Sequence, residues 1–78
     1  MKIKRLVIDV LKPHEPSVLV YADKLSAIRG VDGVFVNVVE IDEKTESIEL
    51  AIEGNDLDFE KIRETIEELG GSIHSIDR

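Results

Sequence analysis

Apolar and polar residues alternate in the first segment of the chain. Residues 3–11 read IKRLVIDVL, a run rich in β-branched side chains that predicts a β-strand. Pro13 and Pro16 follow, and proline cannot donate to a strand's hydrogen-bond ladder. Pro16 suits the first position of a helix, where its missing N–H is not needed. We therefore expect the strand to end before Pro13 and a helix to begin at Pro16.

Helical spacing appears twice along the chain. The first stripe ends before Gly30, a residue that favours the positive φ of a helix C terminus, and comprises Val18, Ala22, Leu25 and Ile28. The second follows Asp58, a good N-cap, and ends before Gly70 and Gly71; it comprises Phe59, Ile62, Ile66 and Leu69. Both stripes predict amphipathic helices.

Three further strands are predicted, at residues 34–42, 46–53 and 72–76. In residues 46–53 the apolar positions alternate strictly with the others, which indicates one buried face and one open face. If Val39 and Ile41 point inward, we expect the open face to carry Arg5, Val7, Asp9, Val36, Val38, Glu40, Asp42, Ser47, Glu49, Ala51 and Glu53.

The element order is β-α-β-β-α-β and leaves room for one domain over residues 1–78. This order is typical of the α+β ferredoxin-like fold, in which a four-stranded antiparallel sheet of order 4132 carries two helices on one face. Many unrelated functions use this fold, so the fold by itself assigns none.

Composition narrows the classes of function. Ten basic and 17 acidic residues give a net charge of −7, which argues against nucleic-acid binding, and the absence of cysteine excludes disulfides and thiolate sites. The sequence shows neither a signal peptide nor a membrane span, so we expect a cytoplasmic protein that is not membrane-bound.

Seventy-eight residues bury a small core, and small domains without disulfides often gain stability by association. We expect a partner to cover the open face of the sheet; the alternative is a monomer in which this face is solvated and held by ion pairs. We therefore expect a homo-oligomer.

The predicted topology brings polar residues to one edge of the sheet: Asp9, Lys12, His14, Glu40, Asp42, Glu43, Glu46 and His74. In the acidic hairpin, Glu40, Asp42 and Glu46 supply carboxylate oxygens of the kind that Ca²⁺ or another divalent cation prefers. The alternative is that Lys44 and Thr45 satisfy these acids locally.

The two histidines offer a second kind of site. His14 and His74, with Asp9 or Asp42, could bind zinc or act as general acid and base. The alternative is structural, with His14 capping the following helix and His74 packing beside Ile73. No serine–histidine–acid spacing and no phosphate-binding glycine loop occurs, so we do not expect an enzyme.

Five segments together resemble an archaeal family catalogued as domain of unknown function 211: residues 9–16, 30–34, 40–46, 52–54 and 70–77. This resemblance implies a ferredoxin-like fold, a tendency to form rings and association with calcium, and it implies no established activity. Some polar residues in these segments are not needed to form the fold, and these are our candidate site residues. They are Glu40, Asp42 and Glu46 for a metal, and Asp9, His14, His74 and Asp77 for other binding.

Three functional hypotheses follow from these features. The leading one is a non-catalytic, self-associating binding module that depends on a cation. The second is a sensor of small, amino-acid-like effectors, which would bind near residues 14–17. The third is a small metal-dependent enzyme that uses His14 and His74.

Overall fold

The computed structural model describes residues 2–77 and confirms the predicted order of elements. The bounds are β1 (Arg5–Pro13), α1 (Val18–Ser26), β2 (Val31–Ile41), β3 (Thr45–Gly54), α2 (Phe59–Glu68) and β4 (Ser72–Asp77). The strands form one antiparallel sheet in the order β2-β3-β1-β4, which is the predicted order read from the other edge. The fold is α+β and ferredoxin-like.

The hydrophobic core lies between the sheet and the two helices. Alternate residues of β1 and β3 point into it, opposite each other in the ladder, and Tyr21, Leu25, Ile62 and Ile66 cover them from the helices. The strand contribution is Leu6, Ile8, Val10, Ile48, Leu50 and Ile52. The other face of the sheet carries no helix, as the alternation predicted.

Several predicted boundaries differ from the structure by one to three residues; β2, for example, begins at Val31 rather than at residue 34. β1 runs on to Pro13, which pairs with Thr45 as the last residue of the strand. α1 begins at Val18 rather than Pro16, because the Ser17 carbonyl accepts the first helical bond, from Val20 N at 3.0 Å, and Ser17 itself is extended. Pro16 therefore lies before the N-cap.

The ends of α2 follow the sequence, whereas α1 ends at Ser26, four residues before Gly30. Lys61 N donates to the Asp58 side chain at 3.2 Å, which confirms Asp58 as the N-cap of α2. Gly30 and Gly70 have φ values of 92° and 90°, which L side chains rarely adopt.

The predicted open face of β2 was wrong in its first half. Val36 and Val38 lie opposite Leu50 and Ile48, so they face the helices. A β-bulge then inserts Val39, after which Glu40 pairs with Ser47 on the open face. One extra residue reverses which side chains of a strand face the core. The sequence pattern does not mark the bulge, so it could not predict the faces of both halves of β2 correctly.

Candidate functional site

A buried ammonium group lies where β1 ends. Among residues 2–77, Lys12 is the one charged residue that is fully buried. Its Nζ donates to the Pro13 carbonyl at 2.7 Å, to the His14 carbonyl at 3.3 Å and to Glu46 Oε1 at 3.0 Å. It also lies 5.4 Å from the centroid of the Tyr21 ring, within cation–π range. All three ammonium hydrogens thus have acceptors.

Glu46 joins this ammonium group to His14. The Nδ1 of His14 lies 2.9 Å from Glu46 Oε2, and its Nε2 lies 2.9 Å from the Glu43 carbonyl oxygen. Both partners are acceptors, so both ring nitrogens carry hydrogen in the imidazolium form. These hydrogen bonds raise the pKa of His14 above its usual 6.5, and the bond to the Glu46 carboxylate has the largest effect. In turn, His14 and then Lys12 lower the pKa of Glu46.

We call Lys12, His14 and Glu46 the charged cluster. It ties the turn after β1 to the hairpin between β2 and β3, and it places one carboxylate between two cations. The predicted gathering of Lys12, His14 and Glu46 at this edge agrees with the structure. Chemically, both Glu46 oxygens and both His14 nitrogens are already engaged within the protein.

The three predicted cation ligands lie apart on the hairpin. The bulge at Val39 places Glu40 opposite Ser47 on the open face, whereas Glu46 lies opposite Ile41 on the helix-facing side. Asp42 follows the end of β2 and is exposed, and its N–H donates to the Thr45 carbonyl at 2.8 Å. Within residues 2–77, no group of three or more His, Asp or Glu side chains could hold a metal ion. Cation binding at the hairpin stays a prediction.

The remaining candidate residues lie on the open face. Asp9 is opposite Glu49 on β3 and accepts a hydrogen bond from Ser75 Oγ at 2.5 Å on β4. A second bulge, between Ser75 and Ile73, contains His74. Asp77 lies opposite Val7, which is two residues before Asp9 on β1.

The two histidines are not brought together. His14 bonds to Glu46, which lies opposite Lys12 on the helix-facing side, while His74 lines a concavity of the open face with Asp9 and Leu11. The sheet separates them. A paired-histidine site is therefore not assembled within residues 2–77.

The sequence reading missed that Lys12 is buried. A signal was nevertheless present, because the inward alternation of β1 continues from Val10 to Lys12, and that of β3 continues from Ile48 back to Glu46. Because the first strand was predicted to end at Leu11, before Pro13, Lys12 fell outside the predicted alternation; lysine is almost never fully buried unless it is paired. Two inward positions of opposite charge on adjacent strands are the pattern that indicates such a pair.

Comparison with known proteins identifies the family. The sequence profile of DUF211, described as Uncharacterized ArCR, matches residues 4–78. The chain belongs to the DUF211 family. The uncharacterised protein MJ0319 of Methanocaldococcus jannaschii is 55% identical to it over 75 residues, which cover 96% of this chain and 77% of that protein. The resemblance stated above is confirmed, and neither description assigns DUF211 an activity.

The helices of this DUF211 chain are short. Within residues 2–77, none is long and apolar enough to span a bilayer.

Proposed function

We propose that this chain is a non-catalytic binding module that self-associates through its edge strand β2. The observation that supports the proposal is the exposure of large apolar side chains on both faces of this one strand. Phe35 and Val39 are 58% and 62% exposed on the open face, and Ile41 is 67% exposed on the other.

β2 is also a long strand at the edge of the sheet. It has 11 residues, and in the described chain its ladder partner is β3 alone. The N–H and C=O groups along its outer side are therefore available to another strand, and natural proteins rarely leave a long apolar edge uncovered. A second copy of this chain can supply the strand that pairs with this edge, so no other protein is needed.

The pairing partner on the second copy is an edge strand, β2 or β4. Pairing of β2 with β2 is two-fold and closes as a dimer, whereas pairing of β2 with β4 is head-to-tail and continues to larger assemblies. In either arrangement the apolar side chains of β2 gain cross-strand neighbours. The mass in solution distinguishes the two arrangements.

Light scattering after gel filtration tests the proposal. We expect the wild-type mass to exceed that of one chain and to fall to that of one chain in Val39→Glu, because a charge introduced on an edge strand opposes its pairing with another strand. Leu19→Glu is the matched control, since Leu19 is 76% exposed on α1. A monomeric wild type, or equal loss of mass in both variants, would contradict the proposal.

The same measurement tests the cation-dependent form of the hypothesis. Runs in CaCl₂ and in EDTA are compared for wild type and for a Glu40→Gln, Asp42→Asn double variant. A mass that falls in EDTA, and in the double variant even with calcium, would support a structural cation. An unchanged mass would leave β2 pairing as the sole basis of association.

A further inference from the structure

The open face of the sheet has a concavity between the bulge of β2 at Val39 and the bulge of β4 at His74. The bulge of β2 falls beside Ile48 and Ser47, and that of β4 falls beside Val10 and Asp9; of these residues, Val10 and Ile48 are paired with each other at the centre of the sheet. The two interruptions therefore lie at one level of the sheet. The concavity measures about 360 Å³, within the range of small-molecule sites, and is lined by Asp9, Val10, Leu11, Val39, Ser47, Ile48 and His74.

Its walls combine apolar side chains with a few polar groups. Leu11 and Val39 present apolar surface, since both are more than 40% exposed. Asp9, Ser47 and His74 supply a carboxylate, a hydroxyl and an imidazole. An occupant with an apolar body and one polar end matches this lining.

The charges around the concavity select a cationic end. The strand register within the sheet places four further acidic residues on the open face with Asp9: Glu40, Glu49, Glu53 and Asp77. Among the described strand residues of the face, the basic side chains are Arg5 and His74, and Arg5 lies 3.5 Å from Glu53. Asp9 and Glu49 are directly opposite, where like charges repel and a cation relieves the repulsion.

From the concavity, its apolar walls and the charge around it, we propose that this face binds a small organic amine. The ammonium group would lie at Asp9, and the apolar body would lie against Leu11 and Val39. Edge pairing at β2 extends the sheet and leaves the concavity open, so this proposal does not depend on self-association.

An NMR titration of the ¹⁵N-labelled chain tests the site. The probe is hexylamine, and the matched probes are hexan-1-ol, hexanoate and CaCl₂. We expect saturable amide shifts with hexylamine at Leu11, Ser47 and His74, and no saturable shifts there with the other three. We expect Asp9→Asn to raise the Kd for hexylamine at least tenfold, about the effect of losing one ionic hydrogen bond.

Asp23→Asn removes an exposed acid from α1 and should leave the Kd unchanged. The proposal is overturned if hexan-1-ol gives the same shifts, which would mean apolar contact alone, or if CaCl₂ does, which would mean a general cation effect. It is also overturned if hexylamine gives no saturable shift, or if Asp9→Asn binds as wild type does. The spectrum of each variant reports whether it is folded.

Discussion

Lys12 stabilises the fold because its ammonium group replaces every hydrogen bond that it lost to water. Lys12→Met keeps the volume and leaves two carbonyls and one carboxylate oxygen without their donor. We expect the free energy of unfolding to fall by about 3 kcal/mol, as when one partner of a buried ion pair is removed. Urea denaturation measures it, with Lys24→Met, at an exposed position of α1, as control. Equal effects of the two variants would contradict the account.

The Lys12–Glu46 pair should also show coupling. Once Lys12 is replaced, Glu46 retains His14 as its one partner in the cluster, so Glu46→Gln should cost less in the Lys12→Met background than in the wild type. A double-mutant cycle from the same denaturation curves gives the interaction energy. Additive effects would mean that the two charges do not interact.

The raised pKa of His14 predicts a dependence of stability on pH. A group whose pKa is raised on folding stabilises the protein fully below its unfolded pKa, here 6.5, and this contribution is lost as the pH rises through the folded value. The lowered pKa of Glu46 acts in the opposite sense, because its contribution is present above 4.5 and is lost in acid. The charged cluster therefore contributes most between these two values.

His14→Gln tests this by removing the charge while keeping a side-chain donor. We expect the variant to be less stable than wild type at about pH 5.5 and closer to it at about pH 8.5, in urea denaturation. His74→Gln removes the other histidine, on the open face, and serves as control. A wild-type advantage over His14→Gln that grows with pH would contradict the assigned hydrogen bonds.

Among the elements, the turn from α2 into β4 depends on close packing at Gly71. A Cβ there would lie 2.9 Å from Ile66 Cγ2 and 2.9 Å from Val10 Cγ1. Since both neighbours are in the core, Gly71→Ala should destabilise the protein by about 1–3 kcal/mol in thermal or urea unfolding. Gly33→Ala is the matched control, because a Cβ there meets the exposed side chain of Phe35. If Gly71→Ala were tolerated as well as Gly33→Ala, the packing described here would be wrong.

The strands show how far the sequence predicts this fold. β3 lies inside the sheet and its alternation predicted both faces, because burial of Ile48, Leu50 and Ile52 leaves one allowed register. β2 and β4 lie at the edges, where one face is half-exposed and a bulge costs little. Each contains a bulge that no residue pattern marked, so the positions of Val39 and His74, and the concavity between them, required the structure.

At the scale of the whole molecule, the topology predicted that some of the polar residues meet at the end of β1, but it did not predict on which face of the sheet the other candidate residues lie. Topology alone brought Lys12, His14 and Glu46 to one edge, because antiparallel neighbours place the end of β1 beside the start of β3. It could not show that Glu46 is held between two cations, since that depends on which way Lys12 points. Most of the exposed apolar side chains of the sheet lie on β2, on both of its faces, so the contact expected on the open face is proposed at the β2 edge instead.

The central claim is that copies of this chain associate through β2. Amide hydrogen exchange, measured residue by residue at low and high protein concentration, tests it most directly. Alternate N–H groups of β2 point away from β3, and we expect their exchange to slow as the concentration rises, while exposed amides of α1 stay unchanged. Association detected by light scattering, with exchange along β2 independent of concentration, would contradict the claim.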